Sequence, residues 1–421
     1  MKREPMASLQ PVRGTHDLLP ESMRAHRHVS EAARNIAARY GFDEMATPIF
    51  EFSQVFKRTL GDTSDIVTKE MYTFTDKGGE EITLRPENTA GVARSFISGG
   101  LAQSAPLKFF YSGPMFRYER PQKGRLRQFH QIGVELIGVA GVQADLEVIA
   151  CGARILDELG VLGKTQLELN TLGDVESRSR YRDALVAYLE KHLDALSAES
   201  RERLTRNPLR ILDSKDEGDR RVIADAPIFT AFLNAESSAF FNDLQSGLKE
   251  LGIEYTLNPR LVRGLDYYCH TAFEFTTTEL GAQGAVIAGG RYDGLIGMMG
   301  GAQTPGVGWA GGIERLSMLS DDAPAAPRPI AIVPIGAEPR EAAFRLAETL
   351  RRDGYRVDLG YSGNLSKRMK RANKLGACAA VLLGEDELAR NEATVRHMDS
   401  GEQDAVSLDL LSEALSRYKQ T

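Results

Sequence analysis

A proline- and alanine-rich stretch, DDAPAAPRP at residues 321–329, constrains this chain more than any other feature. Prolines at 324, 327 and 329 favour a stiff, exposed linker, and the residue patterns on its two sides differ. After it, apolar runs alternate with amphipathic ones. The reading is strand 330–334, helix 340–352, strand 355–359, helix 365–375, strand 377–383 and a final helix 408–418. That alternation predicts a separate small α/β domain over 330–421. Before the linker, Val29, Ala32, Ala33, Ile36, Ala37 and Tyr40 recur at helical spacing within 24–40, and Gly41 closes the run. Residues 145–159 repeat the pattern with Ile149, Ala153, Leu156 and Leu159, stopped by Gly160. Short β-rich runs at 107–111, 166–169, 271–275 and 285–288 are scattered among these helices without regular βαβ alternation. An α+β core over 1–320, built on a largely antiparallel sheet flanked by helices, is therefore expected. Between about 172 and 255 the chain turns charged and helical with few glycines, which reads as an insertion into that core.

Length and composition bound the rest. At 421 residues, and about 150 per domain, the prior is about three domains. Apolar residues at 42% and charged residues at 26% are ordinary for a globular chain. Cys151, Cys269 and Cys378 lie more than 100 residues apart, and neither CxxC nor HExxH occurs. A disulfide framework and a thiolate zinc site are thus not expected, and no dedicated metal cage is read. No apolar run approaches 18 residues, so no membrane contact is expected and the reading is cytoplasmic. The 58 acidic against 52 basic residues leave a formal charge of −6. That argues against coating nucleic acid by bulk charge, but not against local basic faces.

Five strings concentrate polar chemistry. The densest covers 111–135, YSGPMFRYERPQKGRLRQFHQIGVE. An apolar strand leads into Arg117, a turn with Pro121 and Gly124 follows, and a second strand carries Phe129, Gln131, Val134 and Glu135: a hairpin. Its loop, 117–127, holds five basic residues and one acid. Such a loop suits phosphate contacts, and a solvated loop has the same composition. In TLRPENT (83–89), Pro86 pins an extended segment, and Glu87 and Thr89 would face one side of a strand. A carboxylate and a hydroxyl there suit an α-ammonium, though two surface polar residues would look alike. LVRGLDYY (261–268) sets Arg263, Asp266, Tyr267 and Tyr268 around Gly264, where the backbone can approach a ligand. AGGRYDG (288–294), with Arg291 and Tyr292, is followed by GVGWAGGIERL (306–316). The latter contains GxGxxG, but a dinucleotide site needs a βαβ unit and a ribose-binding acid further on. The helix after Gly312 instead runs into the proline linker. The glycines read as letting a strand pass beneath a ligand, with Arg315 on the first turn of the next helix. No GxxxxGK[ST] occurs. Lastly, Lys367, Lys370, Arg371 and Lys374 share one face of a helix whose buried side is read as Met369, Ala372 and Leu375. With no acid inside that helix, like charges repel unless an anion binds; the alternative is a solvated face.

Together these strings resemble the class II aminoacyl-tRNA synthetases, specifically the histidyl-tRNA synthetase family, over essentially the whole chain. The segment around Pro48 resembles the dimer-forming motif 1, residues 116–129 motif 2, and 311–315 motif 3. LVRGLDYY and AGGRYDG resemble the two histidine-specific signatures. The resemblance implies a class II antiparallel sheet, a C-terminal anticodon-binding domain and a homodimer. It implies a histidine–tRNA ligase that joins L-histidine to the α-phosphate of ATP, with Mg2+ accompanying the nucleotide, and then transfers histidine to the 3′ end of tRNA(His). Arg117 and Arg263 would carry catalysis at the α-phosphate. Glu119 and Phe129 would hold adenine, and Arg315 the γ-phosphate. Glu87, Thr89 and Gln131 match the ammonium-binding residues, Glu135 and Tyr268 the imidazole readers, and Tyr267 and Tyr292 the pocket walls. Gln122, Lys123, Arg125 and Arg127 would meet the acceptor end of tRNA, and Lys367, Lys370, Arg371 and Lys374 the anticodon arm. One departure follows Glu87: Asn88 stands where glycine is commoner in the family. The rival resemblance is the non-catalytic paralogue that regulates ATP phosphoribosyltransferase. It lacks the terminal domain and loses charged site residues, whereas Arg117, Glu135, Arg263 and Arg315 are all present here.

Overall fold

The computed structural model describes residues 9–60, 66–262, 267–281, 284–321, 324–336 and 339–419. The chain divides into two units, Met1–Pro324 and Ala325–Thr421.

In chain order, the first unit begins with α1 (Pro20–Arg39), β1 (Asp43–Glu44), β2 (Phe50–Phe52), α2 (Ser53–Leu60), β3 (Tyr72–Thr75), β4 (Glu81–Leu84) and α3 (Thr89–Ser98). It continues with β5 (Leu107–Phe116), β6 (Gln128–Ile137), α4 (Gln143–Glu158) and β7 (Gln166–Thr171). The helices α5 (Val175–Glu190), α6 (Ala198–Arg206), α7 (Glu217–Ala224) and α8 (Ala235–Glu250) follow. It ends with β8 (Thr256–Leu257), β9 (Cys269–Thr276), β10 (Ala285–Arg291), α9 (Leu295–Met298), β11 (Gly306–Gly312) and α10 (Ile313–Leu319). Eight strands form one sheet in the order β1-β5-β6-β11-β10-β9-β7-β8. Its six central strands pair antiparallel and only the two-residue edge strands pair parallel. The expected α+β class and antiparallel sheet are what the chain forms.

The period-two alternation of β6 sorts this sheet into a core face and a site face. Ile132, Val134 and Leu136 join Val29, Ile36, Val148, Ile155, Trp309 and Leu316, contributed by α1, α4, β11 and α10, in the main core. The Trp309 indole N–H donates to the Val148 carbonyl at 2.9 Å, pinning α4 across the sheet. The odd-numbered residues Phe129, Gln131, Gly133 and Glu135 therefore face the other way. There a second cluster, including Tyr111, Met115, Tyr267, Tyr268 and Tyr292, packs with Ala90, Val92 and Phe96 of α3.

The stretch read as an insertion is helical, yet it does not pack as one piece. Tyr181, Leu185, Leu189, Ile211, Leu212 and Phe229 form a cluster of their own. Phe241, Leu244 and Leu248 of α8 belong to the main core instead. Helical periodicity marks α8 as amphipathic but cannot tell which apolar surface its stripe meets.

The second unit contains β12 (Ile330–Pro334), α11 (Pro339–Arg352), β13 (Val357–Leu359), α12 (Leu365–Lys374), β14 (Ala379–Leu383), α13 (Glu385–Ala389), β15 (Glu392–His397) and β16 (Gln403–Ser407). Its sheet order is β13-β12-β14-β15-β16, parallel through the first three strands and antiparallel beyond. The α/β alternation over 330–383 is as expected, but the final hairpin is not in the sequence reading. β15 buries Ala393, Val395 and His397, so its apolar pattern stops after two residues, and β16 is a polar edge strand. The expected helix 408–418 is also corrected. It is three one-turn pieces, Leu408–Leu410, Leu411–Ala414 and Ser416–Tyr418. Their shared apolar spacing imitates one continuous helix.

Candidate active site

Glu135, on the site face of β6, is fully buried. The Thr89 and Tyr292 hydroxyls each donate to it at 2.6 Å, and the Tyr111 hydroxyl lies at 3.4 Å. Burial pushes its carboxyl up to about 8, against the pull of the Thr89 and Tyr292 hydroxyls. Burial likewise holds the Tyr111, Tyr267 and Tyr292 phenols well above their ordinary range. Space for this cluster comes from glycines on neighbouring strands. A Cβ at Gly308 would lie 1.9 Å from Glu135 Oε2, one at Gly306 2.2 Å from the Tyr292 ring, and one at Gly290 2.9 Å from Tyr268. The GxGxxG string lies wholly within β11, so no helix N-terminus meets a phosphate there. Gly306 and Gly308 make room for the protein's own side chains, a correction to the reading that they pass beneath a ligand.

Glu87 and Thr89 do not share a strand face. β4 ends at Leu84, and Thr89 opens α3. The Glu87 carboxylate turns back to accept the backbone N–H groups of Thr89 at 2.6 Å and Ala90 at 2.9 Å. A carboxylate at a helix start satisfies donors that the helix cannot, and the constraint from Pro86 falls on Arg85, before this cap. Burial raises the pKa of Glu87. Gln131, from β6, has a buried Oε1 with no hydrogen-bond partner. An acceptor left open beside a buried carboxylate is suited to a cationic ligand.

Glu87, Thr89, Arg117, Glu119, Phe129, Gln131, Tyr267, Tyr268 and Arg315 line one cleft of about 200 Å3. At its outer end the Arg117 guanidinium lies 5.3 Å from the Phe129 ring centroid, and its Nε donates to the Pro86 carbonyl at 2.9 Å. Arg315 is anchored by the carbonyls of Ala285 at 2.7 Å and Gly124 at 3.1 Å. Burial lowers its pKa, with Arg125 and Arg117 adding repulsion. Glu119 contacts Arg125 and lies 3.9 Å from Arg117. Three guanidiniums thus converge around one carboxylate, an excess of fixed positive charge matched to a polyphosphate. Arg263 lies outside the described residues, and among those described no group of three His, Cys, Asp or Glu side chains could hold a metal.

Sequence reasoning missed two supports. Glu314 accepts the His130 backbone N–H at 3.0 Å and binds the ring Nδ1 at 2.8 Å, clamping β6 between Phe129 and Gln131. Tyr111 reaches Glu135 because its cross-strand neighbour is Gly133; that glycine was the available signal.

The basic faces divide. Gln122 and Lys123 are exposed at the hairpin tip, whereas Arg125 turns into the cleft. Arg127 stacks 3.8 Å from the Tyr118 ring centroid. On α12, Lys367, Lys370, Arg371 and Lys374 are all exposed. Arg371 is nevertheless paired with Asp358 of β13 at 2.8 Å, an acid that inspection of the helix alone does not reveal. The buried side of α12 is Arg368 and Ala372, with Met369 partly buried; Leu375 is exposed, contrary to the reading.

A family model described as histidyl-tRNA synthetase matches residues 14–316. The chain belongs to the histidyl-tRNA synthetase family. A second model, described as an anticodon binding domain, matches residues 329–418 of this synthetase. The histidine–tRNA ligase of Rhodospirillum rubrum is 64% identical, over 98% of this chain and all of that protein. The one from Gluconacetobacter diazotrophicus is 59% identical, over 98% and 99%. The apo histidyl-tRNA synthetase structure from S. aureus superimposes with a TM-score of 0.81 at 35% identity, covering 98% of this chain and all of the other. These whole-length matches favour the ligase over the regulatory paralogue. Among the described residues no helix is long and apolar enough to cross a membrane.

Proposed function

We propose that this synthetase ligates L-histidine to tRNA(His) with ATP, and that the cleft whose Thr89 binds the buried Glu135 performs the adenylation. The observation that carries the reading is one buried carboxyl, Glu135, held by Thr89 of a cleft that three arginines also line. Histidine enters with its imidazole toward Glu135 and Tyr268, between the Tyr267 and Tyr292 walls. Its ammonium lies against Glu87, Thr89 and Gln131. A site that hydrogen-bonds the ring rejects apolar isosteres by ~10⁴-fold, because its own polar groups would be left unpaired.

The histidine carboxylate then attacks the α-phosphorus of ATP, forming the acyl–phosphate bond and releasing pyrophosphate. Negative charge grows on the equatorial oxygens, so catalysis consists of in-line positioning and preorganised positive charge. Arg117 supplies that charge on the α-phosphate and Arg315 on the γ-phosphate, while Phe129 stacks on adenine beside Glu119. Arg263 is placed at the α-phosphate by family resemblance. Mg2+ arrives with the triphosphate. In the second step a terminal hydroxyl of tRNA attacks the acyl carbon and AMP leaves. Gln122 and Lys123 at the hairpin tip, with Arg125 and Arg127 behind them, face the acceptor end. The cations of α12 hold phosphates of the anticodon arm. A homodimer forms through the segment around Pro48, where Ile49, Phe50 and Phe52 are 44%, 56% and 57% exposed. Its compartment is the cytoplasm.

Pyrophosphate exchange with each of the twenty amino acids tests the reading. Exchange with histidine alone is expected, and exchange with another amino acid, or with none, would overturn it. Arg263→Ala should lower histidine-dependent exchange by ~10²-fold, the usual cost of one preorganised contact to developing charge. A loss of only a few-fold would remove Arg263 from the phosphorus centre.

A further inference from the structure

The turn bearing Glu87 and Thr89 rests on a buried polar cluster, Thr47, Arg85 and Asn88, none of which lines the cleft. Arg85 and Asn88 are 5% and 1% exposed. Arg85 Nη1 donates to the Thr47 carbonyl at 3.0 Å, the Thr47 hydroxyl at 3.1 Å and Asn88 Oδ1 at 3.3 Å. Its Nε donates to the Pro114 carbonyl at 2.8 Å. Each of these acceptors is a neutral oxygen. The Thr47 hydroxyl donates to Asn88 Oδ1 at 2.5 Å. Gly113 leaves the gap that Arg85 fills, since a Cβ there would lie 2.4 Å from Nη2. Asn88 thus receives two hydrogen bonds at its oxygen, while its buried Nδ2 has no partner. A glycine at this position would offer Arg85 and Thr47 no side-chain acceptor.

We infer that Asn88 is a positioning residue for the ammonium end of histidine: through its oxygen it ties the 87–89 turn to Arg85 and to Thr47, beside the apolar strip at 49–52. With Oδ1 held by Arg85 and Thr47, the turn keeps Glu87 capping α3 and facing the cleft. Arg117 has supports beyond this turn, at Glu119 and Phe129, so the nucleotide side depends on Asn88 less. The inference rests on the assignment of Glu87 and Thr89 to the histidine pocket.

The test is steady-state pyrophosphate exchange by the full-length enzyme, varying histidine and ATP separately. Asn88→Ala removes the acceptor and should raise the histidine KM about tenfold, the effect of losing a buried hydrogen bond. The ATP KM should change by less than about threefold. Asn88→Asp keeps an acceptor oxygen toward Thr47 and Arg85 and exchanges the unpartnered amide for a second oxygen, its charge balanced by the Arg85 guanidinium, so it should stay within about threefold of the parent. If Asn88→Ala is insoluble, Thr47→Val removes the same hydrogen bond from the other side and should raise the histidine KM alike. The inference is overturned if the removing variant leaves the histidine KM unchanged, if both KM values rise together, or if Asn88→Asp is as impaired as Asn88→Ala. Glu87→Ala in the same assay separates the two levels. An unchanged histidine KM there sinks the pocket assignment and the inference with it. A raised value there with an unchanged Asn88→Ala sinks the inference alone.

Discussion

Glu135 shows how far one residue's chemistry depends on its surroundings. Its buried carboxyl has a folded pKa of about 8, above the 4.5 of an ordinary glutamate. In the substrate-free protein the folded state therefore binds one more proton than the unfolded chain between those values. Its contribution to stability is full below about 4.5 and is lost as pH rises through about 8. Glu135→Gln removes this titration, so the melting temperature of the parent should fall relative to the variant between pH 6 and pH 9. Parallel melting profiles over that range would show that Glu135 is already ionised in the free protein. Once the histidine ring ionises it, Glu135 is an acceptor-only group, and the same substitution exchanges that group for one that also donates. The histidine KM should rise about 10- to 100-fold, in line with losing a hydrogen bond to a charged group, while the ATP KM stays put. Equal losses for both substrates would mean that Glu135 shapes the cleft generally and does not read the ring.

At the scale of elements, β6 and β11 build the pocket between them. Gly308 pairs with Glu135 across the two strands, so the larger side chain uses the space the smaller one leaves. Gly308→Ala would set its Cβ 1.9 Å from Glu135 Oε2 and 2.4 Å from the Val134 carbonyl. The backbone oxygen cannot swing away, so destabilisation of about 1–3 kcal/mol is expected from overpacking, together with loss of histidine-dependent exchange. Gly163→Ala, with nothing within 4 Å of the new Cβ, should stay within about 0.5 kcal/mol. Thermal melting and exchange assays on the pair check this; a stable, active Gly308→Ala would mean the strands shift apart at little cost. The hairpin β5–β6 was legible as an element because its strands alternate and its loop is polar. The turn at 85–88 was not, because capping of α3 by Glu87 depends on where that helix begins.

For the whole molecule, the proposed function asks different things of the two units. Adenylation would need only the cleft of the first, whereas charging would also need tRNA held by the second. Lys367, Lys370 and Lys374 are the cations of the α12 face without an ion pair among the described contacts, Arg371 being held by Asp358. Changing Lys370 and Lys374 together to Glu should raise the tRNA KM and lower the log–log salt slope of binding by about 0.7–0.9 per lost phosphate contact. Histidine-dependent pyrophosphate exchange should be untouched. Unchanged charging would make the face mere solvated surface, and loss of both activities would indicate misfolding.

The sequence by itself determined the class of this protein: the antiparallel core, the proline-linked α/β unit, the hairpin with its basic loop, and the strings that place it in its family. Those features are local, carried by periodicity, turn residues and short motifs, and local signals survive without a tertiary context. Only the tertiary structure decided which residues cooperate. Thr89 binds Glu135 across 46 positions of sequence, Glu314 clamps β6 from 184 positions away, and Asp358 neutralises one cation of a helix that contains no acid. It also decided that β11 glycines make room for Glu135 and Tyr292, and that α8 packs on the main core. Contacts between distant positions depend on strand register and on which faces meet, and neither is written in the spacing of any single segment.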